Sequence, residues 1–509
     1  MEVTYQREWG GGTLVSECHG EHHLPDYLGD MKKVLSTSAR VVPAGKFIGG
    51  EEVQFGGAVQ FDLWYLDAEN RLSHESFSVD YEFSCPCDGE EVDGAASVSV
   101  AAFALRPIGP RRVSARATLQ AEVCLRQKAT YICENEGADA ALHTASRELS
   151  IGYQSFSAPI EREYGEQMAV PAAYAGAEIL HSEATLHIES AETKENAVLV
   201  CGNYAVAVIL FAEGMPPLRL AGNYPVEEQI ALEECAPDMC ATASGFFTSL
   251  TCNVQEGGEP MLTFHGICEL SASAERNTPV SVVEDAFLEG GGACENEVLH
   301  YDTFGHAHVL CRTVELALPL PEGEGSVSDG IFHTTLLLKN QAHEAAENEI
   351  RYTAEAEICA LGYSADADGG VHYASRRLTA PISLALPWEG ADFEDCTLRV
   401  VARVGACEGH VEENQLHISA VLCFSLHGRA QHEISCVRRI CRVPVENGSF
   451  VPTYTVYYPT PQDTLWSIAK RYGVAPAAIA ACNRLSAAAS GAGEDLPASL
   501  LIDRRKRPG

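Results

Sequence analysis

Alternation with a period of two constrains this chain more than any other feature of it. From Val53 to Tyr65 the apolar residues Val53, Phe55, Val59, Phe61, Leu63 and Tyr65 share one parity, with Gln54, Gln60 and Asp62 between them. A β-strand sends successive side chains to opposite faces, so this spacing marks a strand with one buried face. Asp67, Glu69 and Asn70 supply turn chemistry, after which Phe77, Val79, Tyr81 and Phe83 alternate again. A longer run follows at Val113, Ala115, Ala117, Leu119, Ala121, Val123 and Leu125.

The layout returns twice. Val198, Val200, Tyr204, Val206, Val208 and Leu210 lead into a turn at Gly214, Pro216 and Pro217, and Leu262, Phe264, Cys268 and Leu270 come later. Ile350, Tyr352, Ala354, Ala356, Ile358 and Ala360 open the third copy. Its turn spans Asp366 to Gly370, and its late strand carries Leu416, Ile418, Ala420, Leu422, Phe424 and Leu426. The first strands recur at intervals of about 150 residues, one domain length. The fold class this predicts is mainly β: three tandem antiparallel, sandwich-type domains over 20–125, 165–275 and 331–443. The polar stretch 126–165, the Gly-rich and charged 288–297, the segment 321–330 (PEGEGSVSDG) and 444–452 are read as connectors.

Composition narrows the partners. Acids outnumber bases 71 to 35, a net charge of −36, whereas phosphate binding needs a basic footprint. This charge argues against nucleic acid and an anionic membrane surface as main partners. The opening MEVTYQREWGGGTLV lacks a basic region followed by an apolar core, and no run of about 18 apolar residues occurs, so a cytoplasmic protein without membrane insertion is expected. The 19 cysteines are then reduced thiols, many of them small core residues.

Beyond Val451 the character changes. Residues 452–509 hold four acids and seven bases, net +3 against −39 for the remainder. Leu465, Ile468, Ala469 and Tyr472 fall on one helical stripe, with Asp463 or Thr464 as N-cap and Gly473 as the stop. Pro476 opens a second short helix holding Ile479 and Cys482. Tyr454–Tyr457 before the helices and Leu500–Ile502 after them read as a two-stranded sheet, giving the order β-α-α-β over 453–503.

These residues resemble a LysM domain: Tyr454-Thr455-Val456, then Asp463 through Val474 (DTLWSIAKRYGV), then Asn483 and Leu485. The resemblance implies a shallow groove for N-acetylglucosamine-containing glycans such as peptidoglycan. Its candidate residues are Asp463, Thr464 and Leu465 on one loop and Asn483, Arg484 and Leu485 on the other. Pro459 and Pro461 lengthen the first loop, and Asp495-Leu496-Pro497-Ala498-Ser499 stands in place of the usual Pro-Gly-Gln-like turn. Upstream, Leu24 to Leu35 (LPDYLGDMKKVL) and Pro110 to Ala117 (PRRVSARA) resemble a SPOCS domain, the other copies matching it by pattern. SPOCS units followed by one LysM domain resemble the SipL-like family of spore coat morphogenetic proteins. That family implies a coat assembly adaptor in the mother-cell cytosol at the forespore surface. Its implied partners are the spore coat morphogenetic ATPase and other coat proteins; the rival reading is a peptidoglycan- or cortex-binding protein. Charge contrast with the acidic scaffold makes Lys470, Arg471 and Arg484 candidate contacts for a protein partner.

No Walker A, Rossmann or HExxH pattern is present, and no constellation supplies nucleophile, base and orienter together, so neither an enzyme nor a cofactor is expected. Cys85-Pro86-Cys87, Cys235/Cys240 and Cys436/Cys441 are incomplete as zinc motifs and read as core or surface thiols. His19, His22 and His23 read as an exposed polar tail, and Glu51-Glu52 and Glu233-Glu234 as solvated faces. Trp466 reads as core on the apolar side of its helix. Arg504-Arg505-Lys506-Arg507 is either a grip on an acidic partner or a soluble end.

Overall fold

The computed structural model describes residues 1–49, 51–87, 92–136, 141–255, 259–289, 292–320, 327, 329–346, 348–366, 370–388, 396–442, 452–485 and 496–504. The protein is mainly β, and its two α-helices among the described residues both lie beyond residue 464. None is long and apolar enough to cross a membrane.

The first unit comprises β1 (Glu2–His23), β2 (Met31–Ile48), β3 (Glu52–Asp67), β4 (Leu72–Pro86), β5 (Val92–Gly109) and β6 (Arg112–Ile132). Strands β2-β3-β4 form one antiparallel meander, and β1-β6-β5 a second sheet. Val53, Phe55, Val59 and Phe61 of β3 and alternate residues Ala115 to Leu125 of β6 face each other in one core. Full burial of each large apolar side chain contributes about 1.5–3 kcal/mol. The strand β7 (Glu134–Asn135) leaves this unit and pairs in parallel with the third.

The second unit repeats the arrangement. Here β10 (Glu178–Lys194), β11 (Ala197–Phe211) and β12 (Leu218–Ala231) form the meander, while β8 (Leu142–Phe156), β9 (Ile160–Ala169) and β13 (Cys240–Gln255) all pair with β14 (Met261–Leu288). In the third, β16 (Gly330–Ala346), β17 (Glu349–Ala365) and β18 (Val371–Pro387) form the meander. Its second sheet has the order β15-β20-β19, from β15 (Gly292–Pro319), β19 (Thr397–Glu412) and β20 (Gln415–Arg442). Last come β21 (Tyr454–Tyr457), α1 (Leu465–Tyr472), α2 (Pro476–Asn483) and β22 (Leu500–Asp503), with β21 antiparallel to β22.

Two expectations need correction. The connectors at 126–165 and 288–297 are largely strand: each unit opens with a strand that pairs with its last one, Glu2 opposite Ile132 to His23 opposite Arg112 in the first. Bulges hide this alternation, for β1 breaks register between Glu8 and Gly11 and β15 breaks it twice. For the same reason His19, His22 and His23 are not a tail. They sit on β1, where His22 stacks on Phe77 with ring centroids 4.2 Å apart and bonds Glu75 at 2.9 Å. Most of the expected breaks at 321–330 and 444–452 lies outside the described residues, as does Arg505 onward.

The units meet at two junctions. At one, the ends of β6, β8, β14, β15 and β20 bury Tyr131, Leu149, Ile151, Val282, Leu299, Val437 and Ile440 together. At the other, Leu35, Trp64 and Leu72 of the first unit pack with Ile209 of the second and Phe332 and Leu361 of the third. A buried charge cluster adds to the first contact: Arg126 on β6 holds Asp302 on β15 at 2.5 Å, and Arg429 on β20 holds it at 2.9 Å. The loop from β1 to β2 is also pinned. Arg111 donates to the carbonyls of Leu28 and Pro25 at 2.8 and 2.7 Å and to Asp30 at 3.0 Å.

Candidate functional site

The β-α-α-β module is built as its sequence dictates. Thr464 caps α1 and exchanges hydrogen bonds with Ser467, its hydroxyl accepting from Ser467 N at 3.1 Å while Ser467 Oγ accepts from Thr464 N at 3.0 Å. Gly473 ends the helix in the left-handed region, φ 60°, and Pro476 opens α2. Leu465, Ile468, Ala469, Ile479, Leu500 and Ile502 form its core.

Most of the six groove candidates have internal partners. Asp463 accepts from Thr460 N and Oγ1 at 2.8 and 2.9 Å and from the Tyr457 hydroxyl at 2.8 Å. These donors, the Thr460 amide foremost, hold its carboxyl below the ordinary carboxylate range. Thr464 is spent on the cap, and Leu465 is buried in the core. Asn483 donates to the carbonyls of Ile479 and Leu501 at 2.8 Å each and accepts from Leu501 N at 2.7 Å, tying α2 to β22. Leu485 packs partly buried against the core. Arg484 is exposed, and among the described residues its guanidinium has no partner. Residues 486–495 lie outside the described residues.

Two of the three cations expected to flank the groove also serve the molecule itself. Arg471 donates to the Tyr457 hydroxyl at 2.7 Å. Lys470 pairs with Asp285 on β14, and Trp466 Nε1 donates to the same carboxylate at 2.8 Å. The Trp466 ring meets Phe287 edge-on at 5.1 Å. The module is thus docked on the second unit. Burial pushes Asp285 up, but Lys470 and Trp466 outweigh it and hold the carboxyl below its ordinary value. A register shift between Val283 and Asp285 places this contact. Sequence reasoning missed it because one acid on a long strand carries no local signal.

Tyr454, Val456, Tyr458 and Leu501 are exposed, and Val456 lies directly across from Leu501. They form an apolar strip on the outer face of β21–β22.

A LysM domain family model matches residues 460–489. No curated protein and no solved structure matched the chain.

Proposed function

We propose that the protein is a non-enzymatic spore coat assembly adaptor that docks coat morphogenetic proteins at the forespore surface, the LysM module meeting the coat morphogenetic ATPase. The observation that carries this reading is the contrast between the two faces of the module. The groove residues Asp463, Thr464 and Asn483 are committed to internal hydrogen bonds, while Tyr454, Val456, Tyr458 and Leu501 stand exposed. A protein partner needs a few apolar anchors ringed by charge, and tyrosine is a favoured anchor. The resemblance to SPOCS domains at 24–35 and 110–117 supports the same reading. Those two stretches are neighbours in space, Leu24 N donating to Arg111 O at 2.9 Å and Met31 N to Pro110 O at 2.8 Å.

The LysM match favours a second reading, binding of peptidoglycan or cortex glycan. Capture of the full chain on purified peptidoglycan, set against capture on the coat ATPase, separates the two. The adaptor reading expects ATPase binding that Val456→Glu abolishes and Arg484→Glu slows mainly in association, with affinity falling as salt rises. Salt-insensitive retention on peptidoglycan without ATPase binding refutes it. A fluorescent fusion in sporulating cells is expected as a ring at the forespore.

A further inference from the structure

Each unit carries the same irregularity in the first strand of its meander. A register shift falls between Val34 and Ser36 in β2, between Ile179 and His181 in β10, and between Ile331 and His333 in β16. The residue after each shift lies opposite Trp64, Ile209 or Leu361, the three central-strand residues buried where the units meet. The bulges therefore bring Ser36, His181 and His333 to one junction. His74 lies opposite Trp64 from the other side, and Asp62 precedes Trp64 by two.

The donor atoms of Asp62, His74 and His181 all lie within 4.8 Å of one another, and so do those of His181, Glu183 and His333. His74 Nε2 faces Asp62 Oδ1 at 3.3 Å. Both atoms are shut off from solvent, and neither has an aligned hydrogen bond. An unpartnered imidazole nitrogen and a carboxylate oxygen in low dielectric require a proton or a cation between them. Zinc bonds of about 2.0–2.2 Å in tetrahedral geometry set donors about 3.3 Å apart, the separation of His74 Nε2 and Asp62 Oδ1, with a His181 donor within 4.8 Å of both. The donors are also held from behind. The Leu180 backbone hydrogen-bonds His74, and Ser38 Oγ donates to Asp62 Oδ2 at 3.2 Å. Trp64 covers the apolar side, its ring 4.5 Å from His74 and 5.7 Å from His181. On the other side a cleft of about 330 Å³, lined by His74, His181, Glu183 and Arg40, gives entry.

We propose that Asp62, His74 and His181 bind one divalent transition-metal ion of the zinc class, fastening the first unit to the second, with the fourth position turned to the cleft. Two imidazoles and one carboxylate select such an ion over Mg²⁺ or Ca²⁺, which prefer all-oxygen shells. The ion's role is structural: it would satisfy His74 Nε2 and Asp62 Oδ1 in the first unit and bond His181 across the junction.

The test uses the full-length chain, stripped with chelator and titrated with Co²⁺ as a coloured substitute for Zn²⁺. The 19 cysteines are the competing ligands, and thiolate ligation gives an intense near-ultraviolet charge-transfer band that nitrogen and oxygen ligands lack. The expected result is one equivalent of tetrahedral Co²⁺ in visible absorption without that band, displaced by Zn²⁺, and a raised melting temperature. His74→Gln and His181→Gln should each weaken uptake at least about tenfold, while Cys85→Ser and Cys436→Ser leave it unchanged. Should a histidine variant fail to fold, Asp62→Asn, close to its parent in size, tests the same site. Uptake that is equal in folded wild type and variants, that shows only the thiolate band, or that does not saturate overturns the proposal. A buried His74–Asp62 proton pair would then be the reading.

Discussion

Replacing Tyr131 by phenylalanine tests whether three units are joined at one hydroxyl. Tyr131 is 1% exposed. Its hydroxyl donates to Val437 O in the third unit at 2.7 Å and accepts from Val283 N in the second at 3.3 Å. Both groups stand beside breaks in their ladders, between Val283 and Asp285 and where Asn296 pairs with Val437 directly after Glu295 pairs with Arg439. Tyr131→Phe keeps the ring and its packing and removes only the oxygen. Two hydrogen bonds at about 1 kcal/mol each, together with the cost of a buried carbonyl and amide left without partners, give a loss of about 2–4 kcal/mol. Units of this kind can unfold separately, so the readout is the midpoint of the first urea transition. Tyr352→Phe is the control. Its hydroxyl bonds exposed Gln341 at 2.9 Å, where water repairs the loss, and it should cost about 1 kcal/mol or less. Equal shifts for the two variants would refute the argument that Tyr131 completes two interrupted ladders.

Arg126→Met should cost about 3 kcal/mol by guanidinium denaturation at pH 7, because it strips a partner from Asp302, whose carboxyl burial already pushes above its ordinary value; a change under about 0.5 kcal/mol would count against it. Asp285→Ala should release the LysM module and speed amide exchange across 465–472 in the full chain, and unchanged exchange would mean that Phe287 alone holds it. Since the folded Asp285 carboxyl lies below its ordinary value of 3.8, its contribution to docking is present above about pH 4 and fades as pH falls through the folded value, which exchange measured from pH 6 to pH 3 would follow. Cys311 and Cys423 lie opposite each other on β15 and β20 with Sγ atoms 2.8 Å apart, so diamide should couple them into a disulfide found by peptide mapping under non-reducing conditions, both thiols losing a proton and an electron to the oxidant; a peptide map with both still alkylatable would exclude the contact.

How far the sequence could be read depends on which interactions are local. The strands β3, β6, β11, β17 and the start of β20 were legible because one face of each is buried by its own unit, and burial on one face forces period two. β1 and β15 were not, since bulges at Gly11 and Phe304/Ala307 shift parity midway. The LysM module was legible to its caps, Thr464, Gly473 and Pro476, because capping acts within one turn. Its docking on Asp285 was not, nor was the use of Asn483 as a clamp, which depends on Leu501 coming alongside. Metal spacing is legible only between near neighbours such as Cys85 and Cys87, whereas the donor cluster joins Asp62, His74 and His181 from two units and no local pattern joins them.

The repeated bulge explains why the junction can differ in chemistry while the fold stays the same. In each unit the bulge fixes a backbone position and turns one residue toward the other two units, and this depends on strand pairing rather than on the side chain. The three positions then hold Ser36, His181 and His333. Ser36 meets Cys359 at 3.1 Å, a neutral contact. Burial pushes the His333 imidazole down to about 4, and its ring meets His181 edge-on, centroids 5.1 Å apart. A single identical residue in three copies would crowd one point with like groups. Divergence lets one copy supply packing and the others supply donors, so the junction is asymmetric although the backbone repeats. The same logic places the LysM module: β14 carries Asp285 directly after its register shift and Phe287 two residues on, and both meet Trp466.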